Sequence, residues 1–227
     1  MQCGVGKVNA ARVTQILIDN FEVNAIINIG SAASANNNID IGDIVIGQKL
    51  IQHDFDITAF GHPKGYISNI GEFVESDKEL IEKMEKTISK LNDRDLNIKI
   101  GTIVSGDIFC TESKMKEKVK TKFNADAIEM EGAAIAQVCK LDGIPFLIVR
   151  SISDKPNGNN HITFDQFLEK ASKRLNNGTI EKTNVKFGEN IVMDEGKAHL
   201  EFEYSQITKI LQTKSEHKVG ERILGEE

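Results

Sequence analysis

The sequence contains no tryptophan and only three prolines and three cysteines among its 227 residues. The cysteines, Cys3, Cys110 and Cys139, are odd in number and widely spaced, so they fit neither a disulfide framework nor a zinc or redox pair. We expect reduced, buried thiols. No apolar run reaches the roughly 18 residues of a membrane span, and the N-terminal stretch lacks a secretory signal pattern. The default expectation is therefore a cytoplasmic protein without a membrane partner.

The charge balance excludes a second class of partner. Acidic residues number 34 against 28 lysines and arginines, which gives a net charge of -6. Nucleic-acid binding is not expected from such a balance, because phosphate backbones attract basic surfaces. Apolar residues make up 40% and charged residues 27% of the chain, as in a globular protein with a substantial core.

Short apolar runs alternate with segments of helical periodicity, which indicates an α/β fold with helices packed on a sheet. In the first predicted helix, Val8, Ala11, Ile16 and Leu17 share one face. Residues 1–175 are predicted as one domain, and 176–227 as a tail with a hairpin and a polar helix. The predicted strands are 25–30, 43–50, 98–104, 127–130 and 145–152, and the predicted helices are 8–20, 77–91, 112–123, 131–141 and 164–175.

Small or polar residues stand where four of the predicted strands end. Ligands of α/β sheets bind beyond the carboxyl ends of strands, so we expect the binding site there. The residues concerned are Ser31, Ser105, Glu129 to Glu131, and the pair Ser153 and Asp154.

Two carboxylates are candidates for chemistry on a glycosidic bond, which needs an acid for the leaving group and a group that holds the sugar. Asp154 ends a strongly apolar strand, where desolvation favours the protonated acid; the alternative is a helix or turn cap. Glu131 offers two acceptors for a ribose diol; the alternative is a carboxylate favoured by a helix dipole.

Other residues of the same regions are compatible with binding or with plain structure. Met130 and Phe109 can sandwich a sugar or an aromatic base, or can belong to the core. Ser31 and Ala33 form a small-residue strand end where backbone can approach a ligand, or an ordinary turn.

Two further motifs carry no predicted chemistry. The segment from His53 to Asp56 lacks the additional His or Cys of a metal site and is interpreted as a surface or interface loop. The segment from Gly4 to Lys7 lacks the first glycine and the final Ser/Thr of a phosphate loop, so it is not interpreted as an ATP site. We expect no metal or cofactor.

Taken in order, these segments resemble the methylthioadenosine/S-adenosylhomocysteine nucleosidase family. The resemblance spans about three quarters of the chain. The matching stretches are GVGKVNAA from Gly4, IINIGSA from Ile26, HDFDITAFG from His53, VSGD from Val104, EMEGAAIA from Glu129 and VRSISD from Val149.

The resemblance implies a nucleoside phosphorylase-like mixed sheet, a homodimer and an adenine nucleoside as substrate. It implies that Asp154 protonates adenine at N7 with Ser153 beside it, and that Glu131 holds the ribose hydroxyls. The other implied roles are Met130 against the sugar, Phe109 stacked on adenine, backbone at Cys110 reading the base edge, Phe164 lining the base pocket, Ser31 and Ala33 near the ligand, and Ile57 and Phe60 in the partner's thioether pocket.

This sequence departs from the family pattern in three places. No residue here matches the family's water-activating glutamate, which belongs to a segment before Gly4. Ala33 and Ser34 replace two glycines, and residues 176–227 replace the usual final helix.

Three functions follow as hypotheses. The chain hydrolyses methylthioadenosine or S-adenosylhomocysteine, or it binds nucleosides with little catalysis, or it is a phosphorylase. The last is disfavoured because Asn28 stands where related phosphorylases commonly carry a phosphate-binding arginine.

Overall fold

The computed structural model describes Met1, residues 3–89, 97–110 and 113–154, and the backbone of Ile191 and Val192. The predicted helix 164–175, with Phe164, lies outside the described residues. So does most of the predicted tail.

The predicted alternation of strands and helices is confirmed within these ranges. The helices are α1 (Lys7–Asn20), α2 (Lys78–Ile88), α3 (Ser113–Phe123) and α4 (Gly132–Asp142), with a 3-10 turn at Thr58–Phe60. The strands are β1 (Ala25–Ser34), β2 (Ile44–Gln52), β3 (Val74–Glu75), β4 (Ile98–Ser105), β5 (Ala127–Glu129), β6 (Phe146–Asp154) and β7 (Ile191–Val192).

The seven described strands form one mixed sheet in the order β3-β2-β4-β5-β1-β6, with β7 beside β1. Parallel pairs join β2 to β4, β4 to β5 and β1 to β6, whereas β5 meets β1 in antiparallel orientation. A further antiparallel pairing joins β2 to β6, so that β2, β4, β5, β1 and β6 form a closed ring of strands. Their central residues are therefore buried, which explains the near-continuous apolar runs.

Strand β1 continues four residues beyond its predicted end at Gly30. Ser31 pairs with Ser151 of β6, and Ala33 pairs with Asp154 on one side and Ile128 of β5 on the other. These pairings satisfy the backbone of both neighbours and extend the strand to Ser34. Ser31 is thus inside the strand, and the strand end is at Ala33 and Ser34.

Helices cover the sheet with their apolar faces. In α2, Ile81, Met84 and Ile88 are buried, and the Asp77 carboxylate caps the helix by accepting from Leu80 N at 2.9 Å. In α1 the predicted face is only partly right: Leu17 is buried, but Val8 is 78% exposed. The three cysteines form no disulfide; Cys110 and Cys139 are buried as predicted, whereas Cys3 is half-buried.

Candidate active site

A buried ion pair lies at the centre of the candidate site. The Arg150 guanidinium in β6 is fully buried and donates to Glu129 Oε2 at 2.6 Å and to the Asn28 side chain in β1. On the other carboxylate oxygen, Glu129 accepts from the Ser105 hydroxyl. A buried charge is tolerated only when it is paired and hydrogen-bonded, and Glu129 meets both conditions.

Glu129 also fixes the start of α4. Its Oε2 accepts from the backbone N–H groups of Glu131 at 3.1 Å and Gly132 at 2.7 Å. These N–H groups have no partner within the helix, and the helix dipole favours an anion beside them. The carboxylate that interacts with the N-terminus of α4 is therefore that of Glu129, whereas the sequence had suggested Glu131 for this role as the alternative to ribose binding.

The Glu131 side chain does not take part in capping α4. Glu131 is the N-cap residue of α4, yet its carboxylate makes no capping hydrogen bond. Burial raises the pKa of Glu131 to about 7, and the negative charge of Glu129 acts in the same direction against the opposing charge of Arg150. A half-buried carboxylate poised near neutral pH is typical of a functional group.

The N-terminal segment is attached to this carboxylate. Gly6 N donates to Glu131 Oε1 at 2.9 Å, and Gly6 adopts a φ of 98°, a conformation that favours glycine. The next residue, Lys7, pairs through Nζ with Asp54 at 2.6 Å, and its backbone N–H donates to Asp107 at 2.8 Å. The start of α1 is thus fastened beside Glu131.

Asp154 lies at the carboxyl end of β6, as predicted. Its carboxylate forms an ion pair with Lys116 of α3, and the Ser153 hydroxyl lies 3.2 Å from Asp154 Oδ1 and from the Ala32 carbonyl oxygen. The Asp154 side chain is 33% exposed, so it is less desolvated than the apolar strand predicts. Solvent reaches it because the strand ends there.

One strand, β1, separates Asp154 of β6 from strand β5, which ends at Glu129. Asp154 is paired with Ala33, which is paired in turn with Ile128, next to Glu129. Two interstrand spacings amount to about 10 Å. Strands β1 and β5 are antiparallel, yet their carboxyl ends lie close together. The reason is that β5 has only three residues.

The remaining predicted residues surround this strand end to different degrees. Ala33 and Cys110 are buried in one apolar cluster, and Met130 and Ser31 are half-buried. Phe109 is 73% exposed, so it is not a core residue. That outcome removes the structural alternative for Phe109.

Ile57 and Phe60 lie apart, on the loop after β2. Ile57 is half-buried, whereas Phe60, in the 3-10 turn, is 81% exposed. The ring of Phe60 is therefore accessible on the surface of this chain.

His53 is a buried neighbour of the site. Its Nε2 has no hydrogen-bond partner among the described residues, and burial lowers its pKa below 6.5. A Cβ added to Gly106 would lie 2.4 Å from this nitrogen, so glycine is required there. His53 therefore packs closely against the loop that follows β4.

Sequence reasoning did not predict the ion pairs of Arg150 with Glu129 and of Lys116 with Asp154. The usable signal was a charged residue within an apolar strand: Arg150 interrupts β6, and Glu129 ends β5. Lys116 carried a weaker signal, because it occupies the same helix face as Val119.

Among the residues that the structure describes, no helix has both the length and the apolar character needed to cross a bilayer. Residues 1–179 match the family model of the phosphorylase superfamily. A 5'-methylthioadenosine/S-adenosylhomocysteine nucleosidase of Staphylococcus aureus is 43% identical over 172 residues, covering 75% of this chain and 74% of that protein.

Solved structures give the same picture. A nucleosidase of the same name from Campylobacter jejuni has a TM-score of 0.73 and 33% identity, covering 79% of this chain and 77% of that one. A futalosine hydrolase from Helicobacter pylori has a TM-score of 0.70 and 33% identity, covering 80% of this chain and 78% of that one.

Proposed function

The chain belongs to the phosphorylase superfamily, among its 5'-methylthioadenosine/S-adenosylhomocysteine nucleosidases, and from this premise we propose that it hydrolyses the N-glycosidic bond of these nucleosides. The observation that carries the proposal is that Asp154 of β6 and the end of β5 lie on opposite sides of the end of β1, and that Glu131 follows the end of β5 by two residues. In the proposed complex Glu131 holds the sugar and Asp154 meets its leaving base.

The chemistry follows from this division. The bond from C1' to the base nitrogen breaks, and its electron pair goes to adenine. Asp154 transfers a proton to the adenine ring at N7, which makes the base a neutral leaving group. Positive charge develops on the ribose, where the Glu131 carboxylate accepts from the hydroxyls. Water adds to C1' and loses a proton.

The other predicted residues complete a proposed binding site. Phe109 stacks on adenine, the backbone at Cys110 contacts the base edge, and Met130 contacts the sugar. Ser31 and Ala33 border the ligand where β1 ends, and Ser153 orients Asp154. The exposed ring of Phe109 and the 3.2 Å contact of Ser153 support these roles.

We further propose that the protein is a homodimer in which Phe60 and Ile57 enter the partner's site. The support is the exposed ring of Phe60. Sedimentation of the wild type should give a dimer, and Phe60→Ala should raise the KM for methylthioadenosine more than that for adenosine. A monomeric, fully active wild type would refute this part. The cytoplasmic location and the division at residue 175 stay predictions.

Nucleoside binding with weak hydrolysis is a second candidate. Tight binding of adenosine analogues without measurable adenine release would favour this candidate.

A phosphorylase reaction is disfavoured by the structure of β1. Asn28, at the position of the phosphorylases' arginine, is 1% exposed and binds the Arg150 guanidinium through its side chain. It is therefore unable to reach a phosphate ion. Turnover should be independent of phosphate.

The test is adenine release from methylthioadenosine and S-adenosylhomocysteine by the purified chain, with and without phosphate. Futalosine is a third substrate to compare, because of the hydrolase among the similar structures. Asp154→Asn should abolish most turnover, whereas Asp19→Asn on the exposed face of α1 should change nothing. Equal rates for wild type and Asp154→Asn would overturn the proposal.

A further inference from the structure

Two motifs without predicted chemistry, Gly4 to Lys7 and His53 to Asp56, meet in the structure. Lys7 Nζ pairs with Asp54 Oδ1 at 2.6 Å, although 47 positions separate the two residues in the sequence. The Lys7 side chain is 16% exposed and the Asp54 side chain 19%, so little water reaches the pair. The pair therefore differs from the exposed ion pairs of α2, which solvent screens.

A third residue, Asp107 in the loop after β4, joins the pair. Its backbone N–H donates to Asp54 Oδ2 at 2.9 Å, and its Oδ1 accepts from Lys7 N at 2.8 Å. Lys7, Asp54 and Asp107 thus form a closed cycle of three contacts. Each comes from a different segment, namely the start of α1, the loop after β2 and the loop after β4, so the cycle holds these three segments together.

Asp54 uses both of its carboxylate oxygens in this cycle. Burial alone would raise the pKa of Asp54, but hydrogen bonds from Lys7 Nζ and from the Asp107 backbone hold that pKa below its usual value. Asp54 is therefore ionised at neutral pH. An amide in its place would offer one acceptor oxygen where the cycle needs two.

The cycle is connected to the carboxylate proposed for ribose. Gly6, directly before Lys7, donates its N–H to Glu131 Oε1 at 2.9 Å. Gly6 is the N-cap residue of α1, and the first N–H groups of a helix lack helical partners and attract anions. The N–H groups of Gly6 and Lys7 thus bind Glu131 and Asp107. Asp54 holds the start of α1 through Lys7, and the start of α1 holds Glu131.

The loop that carries the proposed base-stacking ring is held at the same place. Asp107 lies two residues before Phe109. Gly106, directly before Asp107, packs closely against His53, which directly precedes Asp54. Two successive residues of this loop therefore rest on the segment that contains Asp54.

We propose that Asp54 is a positioning residue of the nucleosidase reaction, which orients Glu131 toward the ribose hydroxyls through Lys7 and Gly6. The proposal deepens the proposed function and rests on its assignment of Glu131. A carboxylate accepts up to about four hydrogen bonds, so the bond from Gly6 leaves acceptor positions for a diol. Asp54 itself contacts neither the sugar nor the base in this scheme.

The test uses a ligand that cannot be hydrolysed. In the C-nucleoside form of methylthioadenosine a carbon–carbon bond replaces the N-glycosidic bond, so its Kd is measured without turnover. The 2',3'-dideoxy form of the same ligand lacks the hydroxyls that Glu131 would hold. Both Kd values are measured by calorimetry for the wild type, Asp54→Asn, Lys7→Met and the control Glu79→Gln, which breaks an exposed ion pair with Lys83.

The expected loss depends on the hydroxyls. Displacing a binding group by about 1 Å through a distant substitution costs up to about 100-fold. Asp54→Asn and Lys7→Met should therefore bind the form with hydroxyls about 10- to 100-fold more weakly than the wild type. Both variants should bind the dideoxy form within a factor of about two of the wild type, as should Glu79→Gln with either ligand.

A merely structural role of Asp54 gives a different result. Equal weakening of both ligands would show a general loss of structure, and no weakening of either would show that the cycle does not control Glu131; each result would overturn the proposal. In a Glu131→Gln background, Asp54→Asn should add little to the loss for the form with hydroxyls, because Asp54 acts through Glu131. Fully additive losses would also refute it.

The wild type separates this proposal from the proposed function. A wild type that releases no adenine from methylthioadenosine refutes the hydrolysis, and one that binds both ligands equally refutes the assignment of Glu131. A wild type that releases adenine and prefers the form with hydroxyls, together with an unchanged Asp54→Asn, refutes only the role of Asp54.

Discussion

Replacement of Glu131 by glutamine should make the protein more stable relative to wild type as the pH rises. The amide preserves the side chain's shape and an oxygen that accepts from Gly6 N. It removes a carboxyl group whose pKa burial raises from 4.5 to about 7, with the Glu129 charge as a second cause. A shift of this size corresponds to about 3 kcal/mol.

The sign follows from proton linkage. Below pH 4.5, Glu131 is protonated in both the folded and the unfolded chain, so it does not make the free energy of unfolding depend on pH. As the pH rises toward 7, the unfolded chain ionises first, so the wild type loses stability across this window. Glu131→Gln does not titrate there and should gain about 3 kcal/mol relative to wild type between pH 4.5 and pH 8.

Urea unfolding of both proteins at several pH values measures this difference, because the contributions of other groups cancel between them. Glu72→Gln, at an exposed position, is the matched control and should show no such trend. A difference that is constant with pH, or that changes in the opposite direction, would refute the assignment of Glu131 as a buried, poised carboxylate.

Two stability predictions concern the surroundings of that carboxylate. Arg150→Met leaves the buried Glu129 carboxylate without its cation and should lower the free energy of unfolding in urea by about 3–5 kcal/mol. The control Arg12→Met, at an exposed position of α1, should change it by no more than about 0.5 kcal/mol. Equal effects of the two substitutions would contradict the buried pair. Gly106→Ala should lower the free energy of unfolding by about 1–3 kcal/mol, because the added methyl group clashes with His53. Adding His53→Ala should relieve this clash. Purely additive losses in the double variant would show that the clash is absent.

Most of the fold could be predicted because local patterns determine it. The apolar runs of β2, β4 and β6 are mostly buried, and the bounds of these strands agree with prediction to within about two residues. The prediction failed for the end of β1 and for Val8. The extension of β1 depends on partners far away in the sequence, and Val8 has helical spacing but is covered by none of the elements that the structure describes.

In the candidate site too, positions set by local sequence could be predicted, whereas contacts between distant residues could not. Asp154 and Glu131 were predicted from their positions at strand ends, and local sequence is sufficient for such a prediction. The ion pairs of Arg150 with Glu129 and of Lys116 with Asp154 join residues 21 and 38 positions apart. Only the sheet register and the packing of α3 bring these partners together, so no local pattern contains them.

The most direct test of the central claim is the rate of adenine release from methylthioadenosine by the wild type, Asp154→Asn and Glu131→Gln, measured side by side. We predict turnover by the wild type that is independent of phosphate, and a loss in both variants. Asp154→Asn should mainly lower kcat, and Glu131→Gln should lower kcat/KM. Undiminished adenine release by both variants would contradict the account.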